Sequence, residues 1–474
     1  MNPCGLIARA AGMALASFAC VAGNAQVPDD SIARSVDQYV SARAALGQFN
    51  GVLLIARGDR AIYRKGFGFA DVEKQTPYQP EFTQPVASIS KMFTAFVALS
   101  LQAEGLLNLQ DPVCKYFSPC PEAWRPMVLM HLVRHTSGIP DYEERLVIGS
   151  DRYHQYMQRP GAAEQILADA MNDAPEFPPG TKFKYSNSGY VVLAHVLQRT
   201  AKRPLAELVH QYAMKPAGMT ASGVFREGQR PSTWVPGYTH PELDWEKKLA
   251  GYPVTSGHLK RVPVLPLTGA AGDAGVYSNV DDLLRWSVAL QDAKFMSAAM
   301  RKEIFDAGMV GYGFGWFVGK AFDQPRHRHT GNLPGYLADF VRFPDARMTL
   351  IVLSNHDRSA VTRMVRDVSA IILGKPFDMP VQGKAASLTS TQVEALIGEY
   401  SMQDGTKVSV AGNPAELKAT WKGRFTSILI PLSPTECYLA LADGRATFAL
   451  DATGKARSVN LRYSGEDNIA TRQN

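Results

Sequence analysis

Strand-like segments on both sides of a long helical stretch most constrain the fold of this chain. Residues 51–63 contain two β-rich runs around a Gly58-Asp59 turn, which indicates a hairpin. The next strand-like runs come much later, at residues 313–318, 338–343 and 348–353. A sheet assembled from both ends of a domain, with helices segregated around it, is an α+β arrangement.

The spacing of apolar residues predicts the helices between and after these strands. The first long helix is predicted from Ser90 to Glu104, where Phe93, Phe96 and Leu101 recur at helical spacing. The same pattern predicts further helices at residues 127–135, 162–172, 188–200, 204–213, 280–291 and 361–373.

The last part of the chain has a different pattern. Residues 376–387 carry Pro376, Pro380 and Gly383 among small residues, which is typical of a linker. Short alternating runs follow and are separated by Gly, Asn, Asp and Pro clusters; they lie at residues 407–410, 416–421, 427–430, 438–441 and 446–450. Residues 388–474 are therefore predicted to form a small antiparallel β-barrel or sandwich domain.

Composition excludes several classes of protein. The chain has 474 residues, 46% hydrophobic and 20% charged, which fits a globular protein with one large and one smaller domain. The net charge of +6 is spread without a basic block, so we expect no nucleic-acid partner. No run approaches the roughly 20 apolar residues that span a bilayer, so we expect no integral membrane segment.

The first 25 residues have the layout of a secretory signal peptide. They contain one charge, Arg9, then a short apolar core, and they end in the small residues 23–25. We therefore expect a periplasmic or secreted protein. Two alternatives stay open: the segment is a buried or interfacial helix, or Cys20 is lipidated, although residues 17–19 match a lipoprotein signal poorly.

Export places the remaining cysteines in an oxidising compartment. Cys114 and Cys120 are six positions apart around Ser118-Pro119, and we predict a disulfide between them. Cys437 lies alone in a strand-like run, where a buried thiol is favoured over a nucleophile.

Ser88 and Lys91 lie three positions apart at the start of the first predicted long helix. Residues at this spacing share a helical face, so the amine can reach the hydroxyl. The helix N-terminus supplies N–H groups and positive potential for a developing oxyanion. Lysine can act as the base only if its surroundings lower its pKa from about 10.4. The alternative is a capped helix that carries an exposed lysine.

Tyr185 and Asn187 follow the Pro/Gly turn 177–180 and precede the helix predicted from residue 188. Side chains on a tight loop at a helix start can be held rigidly and aimed at one point. The phenol could pass a proton, and the amide could hold Lys91 or a substrate carbonyl. The alternative is a helix cap beside a packed tyrosine.

His329, Thr330 and Gly331 lie between the strands predicted at 313–318 and 338–343. A glycine on an edge strand allows close approach of a substrate backbone, and the strand can pair with an extended substrate. The alternative is a histidine beside His327 in a basic turn.

We expect no metal and no cofactor. His131 and His135 have the spacing of two zinc ligands on a helix, but no third ligand is evident.

In this order, Ser-x-x-Lys, Tyr-x-Asn and His-Thr-Gly resemble the motifs of the serine β-lactamase and penicillin-binding-protein superfamily. The version here is most similar to class C β-lactamases, D-Ala-D-Ala carboxypeptidases, D-aminopeptidases and related esterases. Further similarity extends over roughly residues 30–375 and includes segments 132–140, 177–190, 214–219 and 275–283. The resemblance implies a β-lactamase/transpeptidase-like antiparallel sheet with helices around it over residues 26–375.

The resemblance also implies a role for each site residue. Ser88 would form an acyl-enzyme, with Lys91 and Tyr185 together as its base. Asn187 would bind Lys91 and the substrate amide. Further substrate contacts and the oxyanion hole would come from His329, Thr330, Gly331, Asn332 and the main-chain N–H groups of Ser88 and Asn332.

Two departures from the family pattern bear on specificity. His329 stands where many members have lysine beside the substrate carboxylate, and histidine titrates near about 6.5. Asp273 stands where relatives often have glycine, and the sequence assigns it no role.

The implied function is a secreted serine hydrolase acting on a small-molecule or peptide substrate, for example one derived from the cell wall. The scissile bond would belong to a D-amino-acid peptide, a β-lactam or a carboxylic ester. The alternative is a non-catalytic penicillin-binding or sensor protein of the same fold.

Overall fold

A computed structural model describes most of the chain. The described residues are 27–146, 151–157, 159, 161–226, 230–239, 259–263, 272–380, 386–421, 425–439, 444–463 and 466–473. The predicted signal peptide, residues 1–25, lies outside the described residues, as does part of the predicted linker.

The helices of the described part lie before, between and after the strands of a central sheet. They are α1 (Asp29–Ala45), α2 (Ser90–Ala103), α3 (Leu129–Val133), α4 (Tyr142–Arg145), α5 (Asp151–Met157), α6 (Ala162–Asn172), α7 (Asn187–Ala201), α8 (Leu205–Val209), α9 (Val280–Ala289), α10 (Ala298–Ile304), α11 (Val361–Ile372) and α12 (Ser390–Leu396). Short 3₁₀ turns cover Ala87–Ile89, Val113–Tyr116 and Glu122–Trp124, and a π-helical turn covers His210–Met214.

The strands group into a central sheet, small ribbons and a barrel. Those before the barrel are β1 (Gly51–Arg57), β2 (Arg60–Phe67), β3 (Phe69–Asp71), β4 (Thr76–Pro77), β5 (Gln84–Pro85), β6 (Gly223–Val224), β7 (Tyr238–Thr239), β8 (Lys260–Arg261), β9 (Val276–Ser278), β10 (Phe317–Ala321), β11 (Gln324–Leu333), β12 (Tyr336–Phe343) and β13 (Met348–Ser354). The barrel strands are β14 (Gly398–Met402), β15 (Lys407–Asn413), β16 (Glu416–Trp421), β17 (Phe425–Pro431), β18 (Glu436–Leu439), β19 (Gly444–Leu450), β20 (Ala456–Tyr463) and β21 (Glu466–Arg472).

The central sheet contains strands from both ends of the larger unit, the predicted domain of residues 26–375. Its order is β10-β11-β12-β13-β1-β2, and β1 pairs antiparallel with β13, with Val52 opposite Leu353. Apolar side chains of β1 are buried on both faces: Leu54 packs toward the helices around α2, and Leu53 packs toward α1 and α11. The predicted α+β arrangement is confirmed.

The strand predicted at 313–318 is placed wrongly. The strand begins at Phe317, because the preceding segment turns at Gly311 and Gly315, which both have positive φ. A Cβ at Gly315 would lie 2.6 Å from the Met92 backbone nitrogen, so this segment packs on α2 instead of extending the sheet.

The C-terminal strands close into an eight-stranded antiparallel barrel with a core of its own. The sequence left barrel and sandwich open, and the structure decides for the barrel. Three of its strands were missed, β14, β20 and β21, because they carry many polar residues.

The described cysteines are either in a disulfide or buried. Cys114 and Cys120 form a disulfide, and Cys437 is a free, buried thiol in the barrel. Within the described ranges, no helix combines the length and apolar character needed to cross a bilayer.

Candidate active site

Ser88 lies in the 3₁₀ turn that leads directly into α2. The preceding residue, Ala87, has φ +49°, a left-handed conformation that is unfavourable for a residue with a Cβ. Ser88 is partly exposed, whereas Ala87 and Ile89 are buried. The turn therefore presents one hydroxyl at the N-terminal end of a buried helix.

The Lys91 side chain is completely buried beside Ser88. Its Nζ lies 3.0 Å from Ser88 Oγ, 2.6 Å from Asn187 Oδ1 and 3.1 Å from the main-chain oxygen of Asp273. Burial lowers the pKa of the amine, and nearby carboxylates oppose that shift. Lys91 is therefore not the exposed lysine of the alternative interpretation.

Two of these three partners can only accept a hydrogen bond. The Asp273 carbonyl is one, and Asn187 Oδ1 is the other. A neutral amine has two N–H groups and one lone pair, so donating to both acceptors leaves the lone pair toward Ser88. In its neutral form, Lys91 therefore has its lone pair free to face Ser88 Oγ.

Asn187 opens α7, with Ser186 as its N-cap. Its amide orientation is fixed by two carboxyl groups, because Nδ2 donates to Asp141 Oδ2 at 3.1 Å and to Glu143 Oε2 at 2.9 Å. Its oxygen therefore faces Lys91.

Tyr185 completes the cluster. Lys91 Nζ lies 4.9 Å from the centroid of its ring. Burial raises the pKa of Tyr185 well above its usual value, and a side-chain hydrogen bond with Ser88 opposes that shift. The phenol is therefore protonated at neutral pH. The structure brings the predicted hydroxyl, amine and phenol together at one place.

His135 supports Tyr185, and sequence reasoning missed this role. Its ring stacks on Tyr185 at 4.1 Å between centroids, and its Nδ1 accepts from the Ser186 N–H at 3.0 Å. Burial lowers the pKa of His135 well below its usual value, so the ring is neutral. The sequence signal for this role was that His135 lies in segment 132–140, one of the segments that resemble the family.

His131 and His135 have separate local partners. His131 Nδ1 accepts from the Val128 N–H at 3.2 Å. In the part of the chain that the structure describes, no three His, Cys, Asp or Glu side chains are grouped to hold a metal ion.

His329 is almost completely buried in β11. Its Nδ1 donates to the Thr330 carbonyl at 2.7 Å, and Nε2 lies 3.1 Å from the Tyr312 hydroxyl. Burial lowers its pKa to about 3, with Lys91 adding to the shift. The expectation of titration near the ordinary value is wrong for the folded chain, and His329 supplies no positive charge to a substrate at neutral pH.

The segment around Gly331 packs on the turn that carries Ser88. β11 is the second strand of the sheet, but β10 begins opposite Arg328, so His329 to Leu333 extend past it. A Cβ at Gly331 would lie 2.2 Å from the Val86 carbonyl oxygen. Thr330 and Asn332 alternate with Gly331 and are exposed. Their contacts with substrate, and the oxyanion hole, stay predictions.

A group of buried or partly buried carboxyls surrounds Lys91 and Asn187. It consists of Asp141, Glu143 and Asp273, and sequence reasoning missed it as a group. Burial, with repulsion from the other two carboxyls, raises the pKa of Glu143 to about 8. Burial raises the pKa of Asp273 to about 6, although Lys91 opposes the shift.

Comparison with known proteins gives one family across most of the larger unit. The sequence model of the family described as "Beta-lactamase" matches residues 36–373. Penicillin-binding protein 4* of Bacillus subtilis is 28% identical over 437 residues, covering 90% of this chain and 95% of the relative. The D-aminopeptidase of Gluconobacter oxydans is 24% identical over 398 residues, covering 81% and 69%.

Solved structures share the fold. The octameric penicillin-binding protein homologue from Pyrococcus abyssi superposes with a TM-score of 0.64 at 22% identity, covering 92% of this chain and 99% of that one. D-amino acid amidase from Ochrobactrum anthropi gives 0.61 at 22% identity, covering 73% and 98%.

Proposed function

Because the chain belongs to the beta-lactamase family and is a serine hydrolase, we propose that Ser88 attacks an amide or ester carbonyl and forms an acyl-enzyme. One observation carries this proposal: the buried Lys91 amine contacts Ser88 Oγ while two obligate acceptors take its N–H groups. This arrangement leaves the lone pair in line with the hydroxyl proton.

The proposed reaction has two halves. Lys91 takes the Ser88 proton while Oγ bonds to the carbonyl carbon, and the oxyanion is stabilised by main-chain N–H groups of Ser88 and Asn332. Collapse of this tetrahedral intermediate breaks the bond to the leaving amine or alcohol, which receives a proton through Lys91 and Tyr185. Water, activated by the same pair, then attacks the ester carbonyl and releases the acid and free Ser88.

The proposed substrate is a small molecule or peptide that contains D-amino acids, a β-lactam or a carboxylic ester. The relatives named D-aminopeptidase and penicillin-binding protein support this range. The neutral His329 argues against a strict requirement for a substrate carboxylate. We also propose export of the protein to the periplasm or medium, where cell-wall fragments are available.

Incubation of the purified chain with fluorescent penicillin, p-nitrophenyl acetate and D-amino-acid p-nitroanilides tests the proposal. We expect turnover of at least one substrate, an acyl adduct on Ser88 by intact mass, and neither with Ser88→Ala. A stable stoichiometric penicillin adduct without turnover would favour the alternative, a penicillin-binding or sensor protein. Equal turnover by the wild type and by folded Ser88→Ala would contradict the proposal.

A further inference from the structure

Asp273 is the residue that the family pattern left without a role, and the structure places it against the catalytic lysine. It follows Gly272, whose φ of +106° brings this turn against α7, where a Cβ would lie 2.6 Å from the Tyr190 carbonyl oxygen. Two bonds tie the turn to α2: Thr94 Oγ1 donates to the Gly272 carbonyl at 2.7 Å, and the Val276 N–H donates to Ser90 Oγ at 2.9 Å. The turn is thus fixed on the helix that carries Lys91.

Asp273 contributes to this site through both its main chain and its side chain. Its main-chain oxygen accepts from Lys91 Nζ at 3.1 Å, and its Oδ2 accepts from the Tyr142 hydroxyl at 2.9 Å. Asp273 is completely buried, and Oδ1 has no hydrogen-bond partner among the described residues. The buried carboxyl therefore depends on Tyr142 for its side-chain bond.

We propose that Asp273 is a positioning residue for the catalytic base: the Tyr142–Asp273 bond keeps the Asp273 carbonyl at the distance that aims the Lys91 lone pair at Ser88. This inference rests on the proposed function. Asn187 Oδ1 and the Asp273 carbonyl occupy the two N–H groups of the neutral amine. If the carbonyl moves, one N–H group is free to rotate toward Ser88, and the lone pair turns away.

The Asp273 carboxyl also sets the charge around the base. The titratable groups that face Lys91 and Asp273 from the neighbouring elements are Asp141, Tyr142, Glu143, Tyr153, Tyr185, His135 and His329. The anionic carboxyl of Asp273 raises the pKa of Lys91, against the larger effect of burial. Removing that charge should therefore lower the pKa of the lysine.

Two variants separate the bond from the charge. Asp273→Asn keeps an oxygen that can accept from Tyr142, and its NH₂ group takes the place of an atom that has no hydrogen-bond partner among the described residues. Tyr142→Phe removes the bond and keeps the carboxyl. The experiment measures burst-phase acylation by p-nitrophenyl acetate in the full chain, which gives the acylation rate constant and the substrate dissociation constant separately. It also follows kcat/KM from pH 4 to 10 and checks folding by circular dichroism.

We expect Asp273→Asn to stay within about threefold of wild type at its optimum, with the acid limb of kcat/KM displaced to lower pH. We expect Tyr142→Phe to lose about tenfold to 100-fold in the acylation rate constant at an unchanged substrate dissociation constant, because the base is misplaced while substrate binding is not. A merely structural bond would leave the acylation rate of folded Tyr142→Phe at the wild-type value, whereas the acid limb of Asp273→Asn reports the charge and not the bond.

A wild-type acylation rate in folded Tyr142→Phe would overturn the inference, whether or not the acid limb of Asp273→Asn moves. The proposed function has a separate control. If wild type and Ser88→Ala release p-nitrophenol equally, the proposed function fails and the inference fails with it. If release depends on Ser88 and both variants match wild type, only the inference fails.

Discussion

Lys91 shows how burial and neighbouring charges together change the acidity of an ordinary side chain. An amine in water is protonated at neutral pH, but complete burial makes the charged form costly. The carboxyls nearby limit that effect, so the pKa of Lys91 reflects a balance of burial against charge. The sequence alone supplied the Ser-x-x-Lys spacing and not this balance.

Lys91→Ala tests the base directly. We expect acylation by p-nitrophenyl acetate to fall by about 10²–10⁴-fold, the usual contribution of a general base. The fold should persist, which circular dichroism would check. A loss below tenfold would remove Lys91 from the proton transfer.

Asp141, Glu143 and Asp273 mark the limit of sequence reasoning at this scale. Asp273 was visible as a departure from a family pattern, and the other two carried no motif. Asp141 and Glu143 reach Asn187, beside Lys91, because the starts of α4 and α7 pack together beside α2. Proximity across such long stretches of chain is a property of the tertiary structure and not of local pattern.

His329 should make stability depend on pH in a defined direction. Its folded pKa of about 3 lies below the unfolded value of about 6.5, so between these values only the unfolded chain binds the proton. Stability is therefore lost as pH falls through this window, by up to about 1.4 kcal/mol per pH unit from this residue. We expect the free energy of unfolding of His329→Gln, measured by urea denaturation at several pH values between 4 and 6, to change less steeply with pH than that of the wild type.

At the scale of elements, the site depends on β11 lying against the turn that carries Ser88. The sequence predicted β12 and β13 because their apolar residues give a strong strand pattern. It placed Gly331 on an edge strand but gave that strand no bounds, with a basic turn at His327 and His329 as the alternative, because β11 is fixed only by pairing with its neighbours. The motif at its end was nevertheless recognisable, since His329 to Gly331 match a family pattern.

Gly331→Ala tests this contact between elements. The new Cβ would meet the Val86 carbonyl oxygen at 2.2 Å and must push β11 away from the turn that carries Ser88. We expect hydrolysis to fall by at least about tenfold, because small displacements of reacting groups are costly.

Gly319→Ala on β10 is the matched control for that substitution. A Cβ at Gly319 meets no atom within 4 Å, so kcat/KM should stay at the wild-type value. Equal activity of the two variants would show that the close approach at Gly331 does not hold the site in place.

At the scale of the whole molecule, the chain is built around separate cores. The barrel core around Trp421 shares no residue with the core around Trp286 that supports α2. Arg363 of the larger unit lies over the Tyr438 ring of the barrel at 5.3 Å, and Arg462 of the barrel pairs with Asp378 of the linker segment at 3.2 Å. The second pair is largely exposed, and such pairs contribute at most about 1 kcal/mol.

Calorimetry should therefore resolve two unfolding transitions, one for each core. Trp421→Ala removes a buried ring from the barrel alone and should destabilise that unit by about 3–5 kcal/mol. Only one transition should move to lower temperature, and hydrolysis measured below it should be unchanged. Trp286→Ala is the matched control, because the same change in the other core should move the other transition. A single transition that both substitutions lower equally would mean that the barrel and the catalytic unit unfold as one cooperative body.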